Sequence, residues 1–98
     1  MAQCILVINP NSSETVTRAM DAALDPLRLA GGPAIDCQTL AEGPPGIESQ
    51  WDADSVILPL CRLVREHEAD AYVIACFSDP GLHAAREATA KPVLGIAE

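Results

Sequence analysis

A cysteine stands where the third apolar segment of the chain gives way to a polar turn. Residues 70–75 fit a buried strand, and Cys76 follows them directly, before Phe77 and Ser78. Backbone N–H groups and the positive end of a following helix favour a thiolate at such a position. The pattern therefore predicts that Cys76 acts as an acid or a base at the mouth of the fold.

The alternative for Cys76 is that it is one more small buried hydrophobe, which is the usual role of a cysteine in an apolar segment. We apply this second interpretation to Cys4, Cys37 and Cys61, because they fall within predicted strands or on a helix face. The position of Cys76 at the mouth of a loop favours a function for that residue.

A polar cluster follows the first apolar segment. It consists of Asn9, Asn11, Ser12 and Ser13. These residues could donate hydrogen bonds to a small anion at the first turn of a helix. The same residue types are also ordinary helix caps and turn formers, so spacing alone fits both interpretations.

Other familiar α/β sites do not match this sequence. A cysteine phosphatase loop needs an arginine where Leu82 stands. A receiver domain needs acidic residues where Asn9 and Cys76 stand. No glycine-rich phosphate loop follows the first strand, so nothing predicts nucleotide binding. The chain has no Cys-x-x-Cys pair and no clustered histidines, so we expect no metal site.

The elements that must position these residues alternate along the chain. We predict strands over residues 3–9, 34–40, 70–75 and 93–96, and helices over about residues 12–25, 51–68 and 80–89. Asn11 with Glu14 resembles a capping box for the first helix. Asp79 should cap the last helix, with Pro80 at its first position.

This alternation is typical of a parallel sheet with right-handed crossovers. We predict a single α/β lobe over residues 1–98, with a four-stranded flavodoxin-like sheet and helices on both faces. The second strand should lie near the sheet edge, and Pro59 should divide the middle helix or lie in a first turn. Trp51 and Tyr72 should be packing residues. Because no helix follows the fourth strand, we expect the chain to be the N-terminal part of a longer protein.

Composition narrows the classes of partner. The 98 residues are 49% hydrophobic, which is enough for one small domain and too little chain for two. A net charge of -8 disfavours nucleic acid. No apolar run approaches the roughly 18 residues of a membrane span, and no secretion signal opens the sequence. We therefore expect a cytoplasmic protein with reduced thiols and no membrane partner.

Three segments together resemble a known family. They are Ile8-Asn9-Pro10-Asn11-Ser12, Gly43-Pro44 with Ile47-Glu48-Ser49, and Ile74-Ala75-Cys76-Phe77-Ser78-Asp79-Pro80-Gly81-Leu82. On these residues the chain resembles the N-terminal half of the aspartate/glutamate/hydantoin racemase superfamily, closest to its hydantoin racemase branch. The match covers essentially the whole chain, and the segment around Cys76 is its specific part.

The resemblance implies one lobe of a two-lobed racemase fold, and a mechanism with two cysteines on opposite faces of a carbon acid. One thiolate removes the proton from the stereocentre, and the other thiol returns a proton from the far side, without metal or cofactor. Cys76 matches the first of these cysteines. The second belongs to the other lobe, so this chain alone should not complete racemisation.

The same resemblance implies how a small-molecule substrate is bound. Asn9, Asn11 and Ser12 would hold its polar end, while the backbone N–H groups of Phe77 and Ser78 would hold the developing enolate oxygen. A hydantoin ring, with carbonyls flanking acidic N–H groups, could use all of these contacts.

Two other functions stay open at this point. One is a decarboxylase that uses one cysteine, or a cis-trans isomerase of small dicarboxylates, within the same superfamily. The other is a non-catalytic module that binds a small anion through residues 9–13. The sequence also leaves open the substrate side chain, the preferred enantiomer and whether the protein forms a homo-oligomer.

Overall fold

The structure, a computed structural model, describes residues 3–98. Its strands are β1 (Cys4–Asn9), β2 (Ala34–Thr39), β3 (Ala71–Ile74) and β4 (Val93–Gly95). Its helices are α1 (Glu14–Ala23), α2 (Gln50–Ser55), α3 (Ile57–Glu66) and α4 (Leu82–Ala88), with a short 3-10 helix at Asp25–Leu27. Met1 and Ala2, which the predicted lobe included, lie outside the described residues.

All four strands are parallel and form one sheet. β1 pairs with β2 on one side and with β3 on the other, and β4 pairs with β3. The resulting order is β2-β1-β3-β4, which is the order of a flavodoxin-like sheet. This confirms the predicted fold class and the prediction that the second strand lies at an edge.

One face of the sheet carries the main core. Residues two apart on a strand share a face, so Leu6 and Ile8 of β1 point to the same side of the sheet. Apolar side chains of α3 and α4, such as Leu60 and Leu82, cover this side. The buried cluster consists of Leu6, Ile8, Leu40, Val56, Leu60, Leu63, Val64, Ala69, Tyr72, Ile74, Leu82, Ala85 and Val93.

The opposite face is covered in part by α1. This helix packs along β2, and an apolar groove of about 370 Å³ lies beside it. Ile5, Val7 and Val73 line the sheet side of the groove, and Met20 and Leu24 line the helix side. Helices therefore lie on both faces of the sheet, as predicted.

The middle helical segment is divided, as predicted. α2 ends at Ser55 and α3 begins at Ile57. Pro59 therefore lies in the first turn of α3, where its missing N–H interrupts no helical hydrogen bond. The prediction for Trp51 was wrong, because its side chain on α2 is 84% exposed. Tyr72 is buried, and its hydroxyl donates to the carbonyl of His67.

The first helix starts later than the predicted capping box. Ser13 is the cap, since its hydroxyl accepts a hydrogen bond from the N–H of Val16 at 3.2 Å. The prediction that Asn11 caps this helix was wrong, because the Asn11 side chain is held by other loop groups. Over residues 3–98, no helix is long and apolar enough to cross a lipid bilayer.

Two leucines of α3 offer a matched test of the packing. Leu60 is fully buried, whereas Leu58 is 70% exposed. Leu60→Ala should lower the free energy of unfolding by about 3 kcal/mol, because it leaves a cavity in the core. Leu58→Ala should change it by less than about 0.5 kcal/mol. Urea unfolding followed by circular dichroism measures both, and equal losses would contradict this placement of α3.

Candidate active site

The carboxyl ends of β1, β2 and β3 lie side by side at one edge of the sheet. The N–H of Ala75 donates to the carbonyl of Ile8 at 2.9 Å, so the β1–β3 pairing continues one residue past β3. The N–H of Leu40 donates to the carbonyl of Asn9 at 2.9 Å. Asn9 and Cys76 therefore end or follow neighbouring strands at the edge where open parallel sheets bind ligands.

Asn9 is the buried end of an inner strand. It is 1% exposed, and a buried amide needs partners for its polar atoms. Its Nδ2 lies 2.8 Å from Oδ1 of Asn11, 3.1 Å from Oγ1 of Thr17 and 3.2 Å from the carbonyl of Ser13. Its Oδ1 accepts a hydrogen bond from the N–H of Asn11 at 3.2 Å. Both polar atoms of the side chain are thus engaged inside the protein.

Thr17 extends this network to the second strand. Its Oγ1 lies 2.6 Å from Oγ1 of Thr39, so the ends of β1 and β2 are both joined to α1. Thr17 was not among the site residues predicted from the sequence. The signal that could have found it is a threonine at helical spacing from the apolar residues Met20 and Leu24.

Two polar groups of the loop after β1 make no hydrogen bond within residues 3–98. Asn11 uses Oδ1 to accept from Asn9 and from the N–H of Ser13, and its Nδ2 has no acceptor there. The N–H of Ser12 donates to the carbonyl of Pro44 at 2.9 Å, while its hydroxyl stays unengaged. Asn9 thus supports the loop, and Asn11 and Ser12 retain groups that could meet a ligand.

Cys76 opens a tight turn after β3. Its carbonyl accepts a hydrogen bond from the N–H of Asp79 at 3.0 Å, and its Sγ lies 3.5 Å from the hydroxyl of Ser78. Cys76 is half-buried, whereas Phe77 is 86% exposed. Across residues 3–98, the N–H groups of Phe77 and Ser78 find no acceptor. The turn therefore presents a thiol, a hydroxyl and two backbone donors together.

The last helix begins later than predicted. α4 starts at Leu82, so the predictions that Pro80 opens it and that Asp79 caps it were wrong. Pro80 and Gly81 form the centre of a turn in which the N–H of Leu82 lies 3.3 Å from the carbonyl of Asp79. Gly81 has φ 71° and ψ 10°, the conformation that a type II turn requires after proline. The helix N-terminus is thus set back from the thiol by this turn.

A cavity of about 270 Å³ adjoins the turn. It is lined by Ser78, by residues 47–50 and by Ala53. Ser49 holds this region in place by capping α2, since its hydroxyl accepts a hydrogen bond from the N–H of Asp52 at 3.0 Å. The loop after β2 thus borders the Cys76 turn through Ser78.

The other three cysteines are half-buried free thiols. Burial is the main cause that raises the pKa of Cys37 and of Cys61. Burial, together with Asp36 and Asp70, raises the pKa of Cys4. A thiol with a raised pKa stays protonated and unreactive near neutral pH. Within residues 3–98, no group of three or more His, Cys, Asp or Glu side chains is placed to hold a metal ion.

Comparison with known proteins relates this chain to a family. Residues 5–98 match the family model described as Asp/Glu/Hydantoin racemase. A hydantoin racemase from Paenarthrobacter aurescens is 44% identical, and the alignment covers 96% of this chain and 41% of the relative. A hydantoin racemase from Pseudomonas sp. (strain NS671) is 42% identical, and the alignment covers 96% of this chain and 39% of that relative.

A solved structure has the same fold. Allantoin racemase from Klebsiella pneumoniae superposes with a TM-score of 0.87 and 37% identity, covering 99% of this chain and 40% of that one. Fold and site together define an α/β fold with a cysteine after an inner strand. The chain belongs to the Asp/Glu/hydantoin racemase family. It spans about two fifths of the length of the relatives it matches.

Asn9 and Asn11 provide a matched test of the loop network. Asn9→Asp removes the donors of a buried amide and leaves a carboxylate facing oxygen acceptors, so the free energy of unfolding should fall by about 3 kcal/mol. Asn11→Asp keeps the accepting oxygen and should change it by less than about 1 kcal/mol. Chemical unfolding at pH 7 measures both. Equal effects of the two substitutions would contradict the assigned roles.

The raised thiol pKa values predict a loss of stability at alkaline pH. Folding favours the protonated thiol, so the protonated thiols add to the free energy of unfolding. Their contribution is complete below the ordinary cysteine pKa of about 8.5 and is lost as the pH rises through the pKa of the folded state. The free energy of unfolding should therefore decline from pH 7 to pH 10. The double variant Cys37→Ala, Cys61→Ala should show a shallower decline. A parallel decline would show that these thiols do not contribute.

Proposed function

We propose that this chain carries one of the two acid/base cysteines of a cofactor-independent racemase or epimerase. The observation that carries the proposal is the turn after β3, where the thiol of Cys76 lies 3.5 Å from the Ser78 hydroxyl, beside two N–H groups that have no acceptor within residues 3–98. Membership of the racemase family supports it. Because relatives are named hydantoin racemase and allantoin racemase, a hydantoin-type ring is the favoured substrate, within a wider class that includes amino-acid-like compounds.

The proposed reaction begins at the ring carbon next to a carbonyl. The thiolate of Cys76 takes the proton from this carbon, and the electron pair of the broken C–H bond moves into the carbonyl, whose oxygen becomes an enolate. The N–H groups of Phe77 and Ser78 donate to that oxygen, and such preorganised donors stabilise developing charge. Return of a proton from the opposite face restores the carbonyl and inverts the configuration.

Inversion needs a second proton donor on the far face of the enolate. Cys4 opens β1, Cys37 lies within β2 and Cys61 lies on α3, so none of these thiols stands at the strand ends beside Cys76. We therefore place the second donor on a second lobe, and propose that this chain is one lobe of a two-lobed protein. On its own, the chain should remove the proton from one enantiomer only.

Substrate contacts come from the loop after β1. The Nδ2 of Asn11 and the hydroxyl of Ser12 can donate to oxygens at the polar end of the substrate, because neither group is engaged within residues 3–98. Asn9 was also predicted to bind the substrate. Since its amide is buried and engaged, its proposed role is to hold Asn11 in place.

The other candidate functions use parts of the same site. A one-cysteine decarboxylase or a cis-trans isomerase of small dicarboxylates would use the Cys76 turn without a second thiol. A non-catalytic module would need only the loop at residues 9–13. The names of the relatives favour the racemase. The lack of nucleic acid and membrane partners, the cytoplasmic location and a homo-oligomeric state stay predictions.

Hydrogen exchange into a substrate tests the proposal directly. The chain is incubated in D2O with each enantiomer of a 5-substituted hydantoin, and the C5 proton signal is followed by NMR. One enantiomer should lose this signal faster than the spontaneous rate, and Cys76→Ala should slow that loss by about 10²-fold or more. Cys61→Ala, which removes a thiol on α3, should leave the rate unchanged.

Each contrary result has a distinct meaning. Equal rates for Cys76→Ala and the parent chain would show that Cys76 is not the base. Equal exchange of both enantiomers would contradict a mechanism that needs a second thiol. If hydantoin binds without exchange, and Cys76→Ser leaves its affinity intact while Asn11→Asp weakens it, the chain is a binding module.

A further inference from the structure

Asp79 links two segments that are far apart in the chain. Its N–H donates to the carbonyl of Cys76 at 3.0 Å, which closes the turn after β3. Its Oδ1 accepts a hydrogen bond from the N–H of Ala97 at 3.0 Å, in the segment that leaves β4. Asp79 thus links the Cys76 turn to the segment that follows β4.

The backbone of Asp79 is itself unusual. Its φ is 45°, and it is the one residue other than glycine with a positive φ in residues 3–98. Left-handed backbone is unfavourable for residues with a Cβ and persists where surrounding contacts enforce it. Aspartate tolerates this region better than most residues, and the contacts on both sides of Asp79 help to hold the turn in this conformation.

The Asp79 carboxylate lies directly against Gly95. A Cβ added to Gly95 would overlap the Asp79 carboxylate, reaching 2.5 Å from its Cγ. Real Cβ atoms essentially never approach another heavy atom so closely. Any side chain at this position would push the carboxylate away, so the absence of a side chain at the end of β4 is what admits the Asp79 contact.

The segment that receives Asp79 is fixed on its other side by α4. Arg86 donates to the carbonyl of Val93 at 3.0 Å and to the carboxylate of Glu98 at 2.6 Å. The same carboxylate accepts a hydrogen bond from the N–H of Gly95 at 3.1 Å. The segment that contacts Asp79 is therefore also hydrogen-bonded to α4 through Arg86.

We propose that Asp79 is a positioning residue, whose carboxylate fixes the Cys76 turn against residues 95–97. It thereby sets the orientation of the Cys76 thiol and of the N–H groups of Phe77 and Ser78. Asp79 is not assigned to proton transfer, because its Oδ1 is engaged and its side chain packs on Gly95. The effect on catalysis rests on the proposed function, whereas the anchoring contact does not.

Four variants of the chain test this role without using its catalytic activity. Asp79→Ala removes the anchor, Asp79→Asn keeps an accepting oxygen, and Gly95→Ala displaces the carboxylate. Asp70→Ala is the matched control, because Asp70 also accepts a hydrogen bond from a backbone N–H, that of Cys4, but at the amino end of the sheet. Circular dichroism would check that each variant is folded.

Two measurements report whether the Asp79 carboxylate still holds the Cys76 turn against residues 95–97. Amide hydrogen exchange at Ala97 should be at least tenfold faster in Asp79→Ala and in Gly95→Ala, and close to the parent rate in Asp79→Asn and Asp70→Ala. The pH profile for alkylation of Cys76 by iodoacetamide, read by mass spectrometry, should shift in the first two variants and be restored in Asp79→Asn. Gly95→Ala should have little further effect in the Asp79→Ala background, because the overlap is gone.

The effect of Asp79 on the proposed catalysis is measured separately. Loss of the C5 proton from hydantoin in D2O should be at least tenfold slower in Asp79→Ala and in Gly95→Ala than in the parent chain, with most of the rate kept by Asp79→Asn. A parent chain without exchange would count against the proposed function and leave the two structural readouts valid. Parent-like amide exchange and alkylation in Asp79→Ala, or equal damage from Gly95→Ala in both backgrounds, would overturn the positioning role. So would an Asp79→Asn variant that behaves like Asp79→Ala.

Discussion

Asn9 places a carboxamide at 1% exposure at the end of the inner strand β1. A buried polar group without a partner costs about 1–3 kcal/mol, so the loop and the helix that follow must supply acceptors for its Nδ2 and a donor for its Oδ1. Asn11, Ser13 and Thr17 meet that need. Once they do, the Nδ2 is the one polar side-chain atom of Asn11 without a hydrogen bond in the described residues. The position of the free Asn11 Nδ2 therefore depends on the hydrogen bonds of the buried Asn9 side chain.

The sequence predicted the four strands and their parallel sheet well, because apolar runs such as residues 4–8 and the helical spacing between strands are local signals of a parallel α/β sheet. It failed at Asn11 and Asp79. Both residues fit the local pattern of a helix cap. In the structure, however, the Asn11 side chain accepts a hydrogen bond from the buried Asn9, and the Asp79 side chain accepts one from the distant Ala97. The Pro80-Gly81 pair carried the better signal, since it favours a turn over a helix start.

In the candidate site, too, one part could be predicted from the sequence and another part could not. Cys76 could be singled out from its place after a strand, because strand ends gather at one edge of such a sheet whatever the details of the loops. Which polar groups beside it are free could not be predicted, since that depends on hydrogen bonds between loops, such as that from the N–H of Ser12 to the carbonyl of Pro44. Topology places the thiol, and the contacts between loops decide what surrounds it.

The proton transfer proposed for Cys76 needs the donor and acceptor atoms within hydrogen-bond reach. Cys76 lies on a loop, and loops are usually the mobile parts of a fold. Here the loop is held at both ends. The Ala75 N–H fixes its start to Ile8 of β1, and Asp79 fixes its end to Cys76 itself and to Ala97 beyond β4. Between these anchors stand only Cys76, Phe77 and Ser78. The geometry of the thiol and of the two N–H groups is therefore set by the sheet on one side and by the segment after β4 on the other, so a change in that segment reaches the site without touching it.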